Sequence, residues 1–325
     1  MKEVRVGVIG VGSLGQHHAR VYAELAGARL VGVADADEAR GAVVAARHSC
    51  RATADYRALI GEVDAVSVAV PTLLHHEIAK ACMEAGLHVL AEKPLAATVE
   101  QARDLAAVAA RRGVTLQVGH IERFNSAFRA TRGVIKAPTL IECRRWAPFT
   151  SRGADVDVVL DLMIHDLDLV LGMVGAPVRD VQASGVSMLS SATDVAQARV
   201  AFDNGCVAMF SASRVAESKT RELRIYEPGG FVVIDLAGQT AVVGRRAMGA
   251  SGSHELLTEQ VRGDGREPLK LELEAFLDSV RTGAPPLVSG REGTAALELA
   301  GAIMAEIARH GRRESDGSAG SHHHG

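Results

Sequence analysis

Residues 4–15 have the sequence VRVGVIGVGSLG, a short apolar run that ends in three spaced glycines. The run is typical of a buried strand, and the amphipathic segment after it is typical of a helix. Glycines in the order G-x-G-x-x-G between a strand and a helix form the pattern of a dinucleotide-binding βαβ unit. This stretch therefore predicts an α/β fold whose first domain is a Rossmann domain with a doubly wound parallel sheet.

The same loop predicts a role for each of its residues. Gly10 is expected to make the tight turn, Gly12 to let the backbone approach a pyrophosphate, and Gly15 to let the helix pack on the strand. Ser13 and Leu14 lie between them at the helix N-terminus, which attracts anions. All five residues are predicted to bind the cofactor.

Asp35 ends the second predicted strand and stands 20 residues after Gly15 (35 − 15 = 20), the spacing expected of the acid that binds the ribose hydroxyls. An isolated acid there could merely begin a turn, but the glycine loop favours the cofactor interpretation. A carboxylate also repels a 2′-phosphate, so NAD is predicted over NADP. Arg40, included among the cofactor-binding residues, weakens that preference slightly.

Residues 1–120 alternate short apolar strands with amphipathic helices, as a parallel sheet covered on both faces requires. We predict that they form the NAD(P)-binding domain. The strands are expected at Val4–Ile9, Arg29–Ala34, Ala65–Val70, His88–Ala91 and Thr115–Val118, and the helices at Leu14–Leu25, Asp37–Arg47, Leu74–Ala85 and Val99–Arg112.

Residues 121–310 change rhythm to successive strand patterns separated by turn signals such as Asp203-Asn204-Gly205. They predict a substrate-binding and oligomerisation α/β domain built on an open, largely antiparallel sheet, with a helix at about Val158–Met173 and two more closing the chain. Residues 244–266 are predicted to be a loop. Residues 311–325 are polar and aperiodic, so we predict a disordered tail whose histidines are a possible tag remnant.

The composition narrows the class of function. The formal net charge is −3, which gives no basic field for nucleic acid, and no stretch has ~18 continuous apolar residues, so neither nucleic acid nor membrane is an expected partner. The four cysteines form no CxxC pair and are interpreted as thiols of a reducing compartment. We expect a cytoplasmic protein that acts on a small molecule.

Two groups of residues are candidates for chemistry. Pro71, Thr72 and His75 follow the third strand, and Glu92 and Lys93 follow the fourth, at the sheet edge where open α/β sheets bind ligands. Taken alone, Lys93 is explained more simply as a surface ion-pair residue.

Asp161 and His165 are four residues apart, so a helix would project both from one face. Without further context, the simpler interpretation is that Asp161 is an acid on the helix surface and that His165 is a structural histidine with its hydrogen bonds made. No other metal-ligating residue has suitable spacing nearby, so no metal is predicted. His17 and His18, on the helix after the glycine loop, are predicted to be structural.

The chain resembles the Gfo/Idh/MocA family of sugar oxidoreductases. The resemblance rests on Val8–Gly15, Pro71–His75, the run AGLHVLAEKPL at residues 85–95 and Asp161–Asp168, and it continues into the closing helices. It implies that Lys93, Asp161 and His165 are catalytic and that Pro71, Thr72, His75, Glu92 and Lys93 lie at the cofactor. In the implied reaction His165 accepts the proton of a sugar hydroxyl, Lys93 stabilises the alkoxide, and Asp161 keeps Lys93 charged and aimed.

The run GHIERFN at residues 119–125 and the string from Asp155 to Asp166 are similar to a narrower subgroup, the UDP-N-acetylglucosamine 3-dehydrogenases. Ser126 departs from the proline common there. The expected substrate-binding residues are Lys93, Arg123, Arg152, Asp161 and His165, and Arg144 and Arg145 are further candidates for a diphosphate. Taken alone, each of these arginines is more often a solvated charge. Three alternatives remain: a free polyol such as inositol, another UDP-sugar, or a non-catalytic NAD-binding sensor. An open sheet of this kind favours a homodimer or homotetramer.

Overall fold

The computed structural model describes residues 3–150, 156–249 and 253–318. The chain divides into two compact units, one formed by residues 1–124 and 266–297, the other by residues 125–265 and 298–325. The boundary at residue 124 lies close to the expected one at 120. The return of residues 266–297 to the first unit differs from the expected two consecutive domains.

The first unit contains a six-stranded parallel sheet in the order β3-β2-β1-β4-β5-β6. The order reverses direction between β1 and β4, and in open α/β sheets the crevice at such a reversal is where ligands bind. The prediction of a doubly wound sheet is confirmed. The strands are β1 (Val4–Ile9), β2 (Ala28–Ala34), β3 (Arg51–Thr53), β4 (Ala65–Val68), β5 (His88–Glu92) and β6 (Leu116–Gly119).

Helices cover this sheet, so its strands are buried and nearly continuously apolar. One core contains Val6 and Val8 of β1, Tyr22 of α1, and Leu273 and Phe276 of α7. This packing explains why residues 266–297 group with the first unit. The helices of this unit are α1 (Gly15–Glu24), α2 (Glu38–His48), α3 (Thr72–Glu84), α4 (Val99–Arg112) and α7 (Pro268–Thr282), with short 3-10 helices at Tyr56–Leu59 and Ile121–Phe124.

The second unit contains an eight-stranded sheet in the order β14-β13-β12-β11-β7-β10-β9-β8. All neighbouring strands are antiparallel except β10 and β7, which are parallel. The predicted open, largely antiparallel sheet is therefore confirmed. The strands are β7 (Leu140–Trp146), β8 (Val178–Val186), β9 (Val195–Phe202), β10 (Val207–Ser213), β11 (Thr220–Glu227), β12 (Gly230–Asp235), β13 (Thr240–Met248) and β14 (His254–Arg262).

One face of this sheet packs on helices. Along β7, Ile141, Cys143 and Arg145 are buried, whereas Leu140 and Arg144 are exposed, as strand alternation requires. The buried face meets apolar side chains of three helices and of a π-helix. These elements are α5 (Ser126–Ala130), the π-helix Val159–Met163, α6 (Ile164–Val174) and α8 (Gly290–Ser318).

Two expectations for the C-terminal part of the chain differ from the structure. Residues 244–266 are not a loop, because β13 and β14 form a hairpin across most of them. The first seven of the nine residues of β14 are exposed. The strand therefore has no buried face, and its sequence lacks the apolar alternation by which a strand is predicted. Residues 311–318, predicted to be disordered, instead belong to α8, which continues to Ser318; residues 319–325 lie outside the described residues.

None of the helices in the described ranges has the length and apolar character that a membrane-spanning segment requires.

Candidate functional site

The glycine loop joins β1 to α1, and at two of its glycines there is no room for a side chain. Gly10 has φ +82°, and a Cβ on it would lie 2.8 Å from the carbonyl oxygen of Ala69. A Cβ on Gly15 would lie 1.8 Å from the carbonyl oxygen of Gly10. A Cβ on Gly12 would meet nothing within 4 Å, so the backbone can be approached closely at this residue.

Helix α1 begins directly after this loop. Its N-cap residue, Leu14, supplies no side-chain hydrogen bond, and its first turn contains no acidic residue. The first N–H groups of a helix lack partners within the helix and carry partial positive charge. The loop and helix together fit a pyrophosphate.

Asp35 is buried at the end of β2 and is held beside the loop. Its carboxylate accepts the backbone N–H of Val11 at 2.8 Å and that of Asp37 at 2.9 Å. Arg40 donates to both carboxylate oxygens, at 3.0 and 2.7 Å. Burial alone would raise the pKa of Asp35, but the Arg40 guanidinium and the two N–H donors hold that pKa below its usual value. The acid is therefore ionised and partly neutralised by Arg40.

The segment after β4 carries the next group of predicted residues. Pro71 is the N-cap of α3, Thr72 is the first residue of that helix, and His75 lies one turn further on. The imidazole of His75 is buried, with Nδ1 2.9 Å from the carbonyl oxygen of Pro94 and Nε2 2.9 Å from that of Val70. Both ring nitrogens thus contact the protein backbone rather than open solvent.

Lys93 follows β5 and is half-buried. The preceding residue, Glu92, is buried, and its Oε1 lies 3.0 Å from Nε2 of His18 on α1. Its Oε2 accepts the backbone N–H of Lys93 at 3.3 Å. Glu92 was predicted to bind the cofactor, and the structure shows that its carboxylate already contacts His18 and the lysine backbone.

Asp161 and His165 lie in the second unit where a π-helix passes into an α-helix. Asp161 is in the π-helix Val159–Met163, and His165 is in the first turn of α6. Both are half-buried, whereas Met163 and Ile164 between them are buried. The predicted single helix is therefore wound more widely at Asp161, and such π segments occur often at functional sites.

A buried ion pair fixes the helix beside His165. Arg145 on β7 donates from Nε to both oxygens of Asp166, at 3.1 and 3.0 Å, and from Nη2 to Oδ1 at 2.7 Å. The side chains are only 3% and 4% exposed. The pair was not predicted, although an acid inside the apolar run LMIHDLDLV indicates a buried partner. Arg145, a further candidate for the diphosphate, is instead paired with Asp166.

A second buried acid holds the segment that follows β8. Asp194 is fully buried and accepts backbone N–H groups from Met188, Leu189 and Ser190 at 2.6, 2.6 and 3.0 Å, together with the Ser190 hydroxyl at 2.7 Å. Burial alone would raise the pKa of Asp194, but these hydrogen bonds hold that pKa well below its usual value. Arg214 lies beside this carboxylate and also donates to the carbonyl oxygen of Val156.

The remaining predicted arginines occupy different surroundings. Arg123 is half-buried in the 3-10 helix Ile121–Phe124 of the first unit. Arg144 is exposed on the face of the second sheet opposite to Arg145, so it points away from α6. Arg152 lies outside the described residues. Across the described ranges, no three His, Cys, Asp or Glu side chains form a group that could hold a metal.

Comparisons with known proteins agree with this architecture. The model of an oxidoreductase family with an NAD-binding Rossmann fold matches residues 4–120, and that of the GFO/IDH/MocA C-terminal domain matches residues 116–233. The chain is 39% identical to a UDP-N-acetylglucosamine 3-dehydrogenase of Acidithiobacillus ferrooxidans, over 95% of this chain and 100% of that protein. It is 30% identical to a myo-inositol 2-dehydrogenase of Thermotoga maritima, over 91% and 94%.

A solved structure of the UDP-N-acetylglucosamine 3-dehydrogenase of Acidithiobacillus ferrooxidans has a TM-score of 0.90 and 38% identity, covering 94% of this chain and 98% of its own. The two family models match both domains, and these relatives cover more than nine-tenths of the chain. The chain belongs to the Gfo/Idh/MocA family of NAD-binding oxidoreductases.

Proposed function

We propose that this protein is an NAD-dependent dehydrogenase that oxidises the 3-hydroxyl of UDP-N-acetylglucosamine to a ketone. The observation that carries the proposal is the 39% identity, over 95% of the chain, to a dehydrogenase named for that substrate. Lys93, Asp161 and His165, which the family resemblance implies are catalytic, are all present. A free polyol is the second candidate, because a relative named for myo-inositol is 30% identical over 91% of the chain.

The residues of the first unit fit the dinucleotide. Gly10, Gly12 and Gly15, with the N-terminus of α1, would hold the pyrophosphate, and Asp35 would accept hydrogen bonds from the ribose hydroxyls. The Asp35 carboxylate favours NAD over NADP, while Arg40 reduces its charge. When bound, NAD supplies the hydride acceptor.

The three proposed catalytic residues divide the work on the hydroxyl group. His165, as a neutral imidazole, accepts the hydroxyl proton, a contribution of about 10²–10⁴-fold for a positioned general base. Lys93, as an ammonium, donates a hydrogen bond to the same oxygen and stabilises its developing negative charge. Asp161 keeps the ammonium of Lys93 charged and aimed. The carbon–hydrogen bond breaks with its electron pair leaving as hydride, and the substrate carbon becomes a carbonyl.

Two arginines are proposed to recognise the diphosphate of the substrate. Arg123 and Arg152 carry the fork of donors that pairs with phosphate oxygens. Arg144 and Arg145 are excluded from this role, the first by its position on the opposite sheet face and the second by its pair with Asp166.

The test is NAD reduction, followed by absorbance, with UDP-N-acetylglucosamine, its uronate and free inositol, each coupled to a 3-keto sugar aminotransferase that removes product. We expect turnover with UDP-N-acetylglucosamine and none with inositol. Lys93→Met is expected to lower kcat by about 10²- to 10³-fold, to a residual rate that can still be measured, while NADH still binds. The matched control is Lys80→Met, because Lys80 lies on α3 of the same unit and pairs with Asp104 at 2.8 Å.

Each other outcome contradicts a different part of the proposal. Turnover with inositol alone would exclude the sugar nucleotide as substrate. NADH binding without turnover of any substrate would favour the sensor alternative. A Lys93→Met protein with wild-type turnover would remove Lys93 from the mechanism.

We also propose that the enzyme acts as a homodimer or homotetramer through the face of the second sheet that carries Leu140, Arg144 and Met209. These side chains are exposed. Nη1 of Arg144 lies 4.0 Å from Oε1 of Glu222 on the neighbouring strand. The face therefore offers apolar area and charges of both signs to a second copy. Light scattering of wild type and of Met209→Arg tests this: wild type should be oligomeric and the variant smaller. A monomeric wild type would contradict it.

A further inference from the structure

Two buried histidines hold the residues on either side of Lys93. On one side, Nε2 of His18 contacts Oε1 of Glu92 at 3.0 Å, and on the other, Nδ1 of His75 contacts the carbonyl oxygen of Pro94 at 2.9 Å. His18 belongs to α1, and His75 belongs to α3. The turn that contains Lys93 is therefore attached to two different helices of the first unit.

The contact between His18 and Glu92 is well enclosed. Their side chains are 2% and 12% exposed. The neighbouring strand β6 ends at Gly119, and a Cβ there would lie 3.0 Å from the carboxyl carbon of Glu92. A larger residue at this position would therefore displace the carboxylate. A carboxylate in such a position is costly unless it is paired and hydrogen-bonded, so the His18 contact stabilises it.

The charge of Glu92 also bears on Lys93. Burial alone would raise the pKa of Glu92, but the contact with His18, and then the charge of Lys93, hold that pKa below its usual value. Glu92 therefore stays ionised beside the lysine. Its Oε2 also accepts the Lys93 backbone N–H.

We propose that His18 is a positioning residue for Lys93, acting through the Glu92 carboxylate, and that it connects the helix behind the glycine loop to the proposed catalytic lysine. The inference rests on the proposed function, because it assigns His18 a role in the step that Lys93 performs. His18 touches neither substrate nor cofactor in this role. It keeps Glu92 in place, and Glu92 keeps the Lys93 turn in place.

The test compares two substitutions of His18 with a neighbour. His18→Leu removes the donor to Glu92, and His18→Gln keeps a side-chain N–H of similar reach. His17→Leu is the matched control, because His17 is on the same helix but exposed. We expect His18→Leu to lower kcat by about 10- to 100-fold, the loss typical of a displaced catalytic group. His18→Gln should recover most of kcat, His17→Leu should equal wild type, and NADH affinity should change little in all three.

A double variant separates positioning from a general structural role. If His18 acts through Lys93, His18→Leu should have no further effect on kcat in the Lys93→Met background, because residues that act as a unit are not additive. An equal loss in both backgrounds, or wild-type kcat in a folded His18→Leu protein, would overturn the proposal. NADH binding shows in each case that the first unit is folded.

Failure of the proposed function gives a different pattern. Wild-type turnover in Lys93→Met alone would remove Lys93 from catalysis whatever His18 does. If no substrate is turned over, the rate at which acetic anhydride acetylates Lys93, followed by peptide mass spectrometry, is measured instead of kcat. Because His18→Leu should loosen the turn, Lys93 should react faster in that variant than in wild type or His17→Leu. Equal rates in all three would overturn the positioning role.

Discussion

Replacing Asp166 with leucine is expected to destabilise the second unit strongly. The Asp166 carboxylate is 4% exposed and accepts three hydrogen bonds, at 2.7 to 3.1 Å, from an Arg145 side chain that is 3% exposed. Removing it leaves a buried guanidinium without this counter-charge. Substitutions of that kind lower the free energy of unfolding by about 3–5 kcal/mol. Arg145→Met should cost a similar amount, because it leaves the carboxylate buried instead.

The double variant Arg145→Met/Asp166→Leu should be more stable than either single variant. Apolar side chains replace both charges, so no buried charge remains, and such replacements are often neutral or stabilising. The control is Arg144→Met, one residue away on β7 but exposed on the opposite face. A surface substitution of this kind changes the free energy of unfolding by about 0.5 kcal/mol or less.

Urea denaturation followed by tryptophan fluorescence measures these differences. Trp146 is the single tryptophan of the chain and lies in β7, so its emission reports the second unit even if the first unfolds separately. The Arg144 guanidinium lies 5.8 Å from the centre of the Trp146 ring. Arg144→Met is therefore expected to alter the intensity but not the midpoint. An Asp166→Leu protein within about 1 kcal/mol of wild type would refute the reasoning, as would a double variant that loses the sum of the single losses.

Three further outcomes are expected. Arg40→Met should raise the preference for NADH over NADPH by up to about fivefold, because the Asp35 carboxylate then faces the 2′-phosphate without its neutralising partner. Fluorescence titration with both cofactors measures this preference, and an unchanged ratio of the two affinities would contradict the expectation. The pKa of Asp194 is lower in the folded protein than its ordinary value of 3.8, so its contribution to stability is present above about pH 4 and is lost as the pH falls further. The gap between the urea midpoints of wild type and Asp194→Asn should accordingly narrow from pH 7 to pH 3, and a constant gap speaks against the assignment. Burial raises the pKa of Cys82 to about 12, so Ellman's reagent at pH 8 should label half-buried Cys50 first and Cys82 only after unfolding; early labelling of Cys82 would be the contrary result.

Local patterns were sufficient for the nucleotide-binding part of the fold. The predicted strand Val4–Ile9 and helix Val99–Arg112 coincide with β1 and α4, since buried parallel strands and amphipathic helices differ in length and period. Gly10 and Gly15 were equally accessible to sequence reasoning, because a positive φ or a close backbone contact admits only glycine. Asp35 followed from a fixed spacing within one βαβ unit.

Partners distant in sequence were not accessible in this way. His18 meets Glu92 across 74 positions, and Arg145 meets Asp166 across 21. Neither contact belongs to any local period, and each depends on which side of a strand meets which side of a helix. Arg145 was therefore considered as a candidate for the substrate diphosphate, and its partner Asp166 was not predicted.

The sequence by itself determined the fold class, the glycine loop with its acid, and the family to which the chain belongs, because each depends on motifs whose own residues are close together along the chain. Tertiary structure alone decided that residues 266–297 complete the first unit and that β13 and β14 form a hairpin. It alone decided which buried charges are paired. The physical reason is that burial and pairing are properties of two surfaces brought together, whereas a sequence pattern describes only one of them.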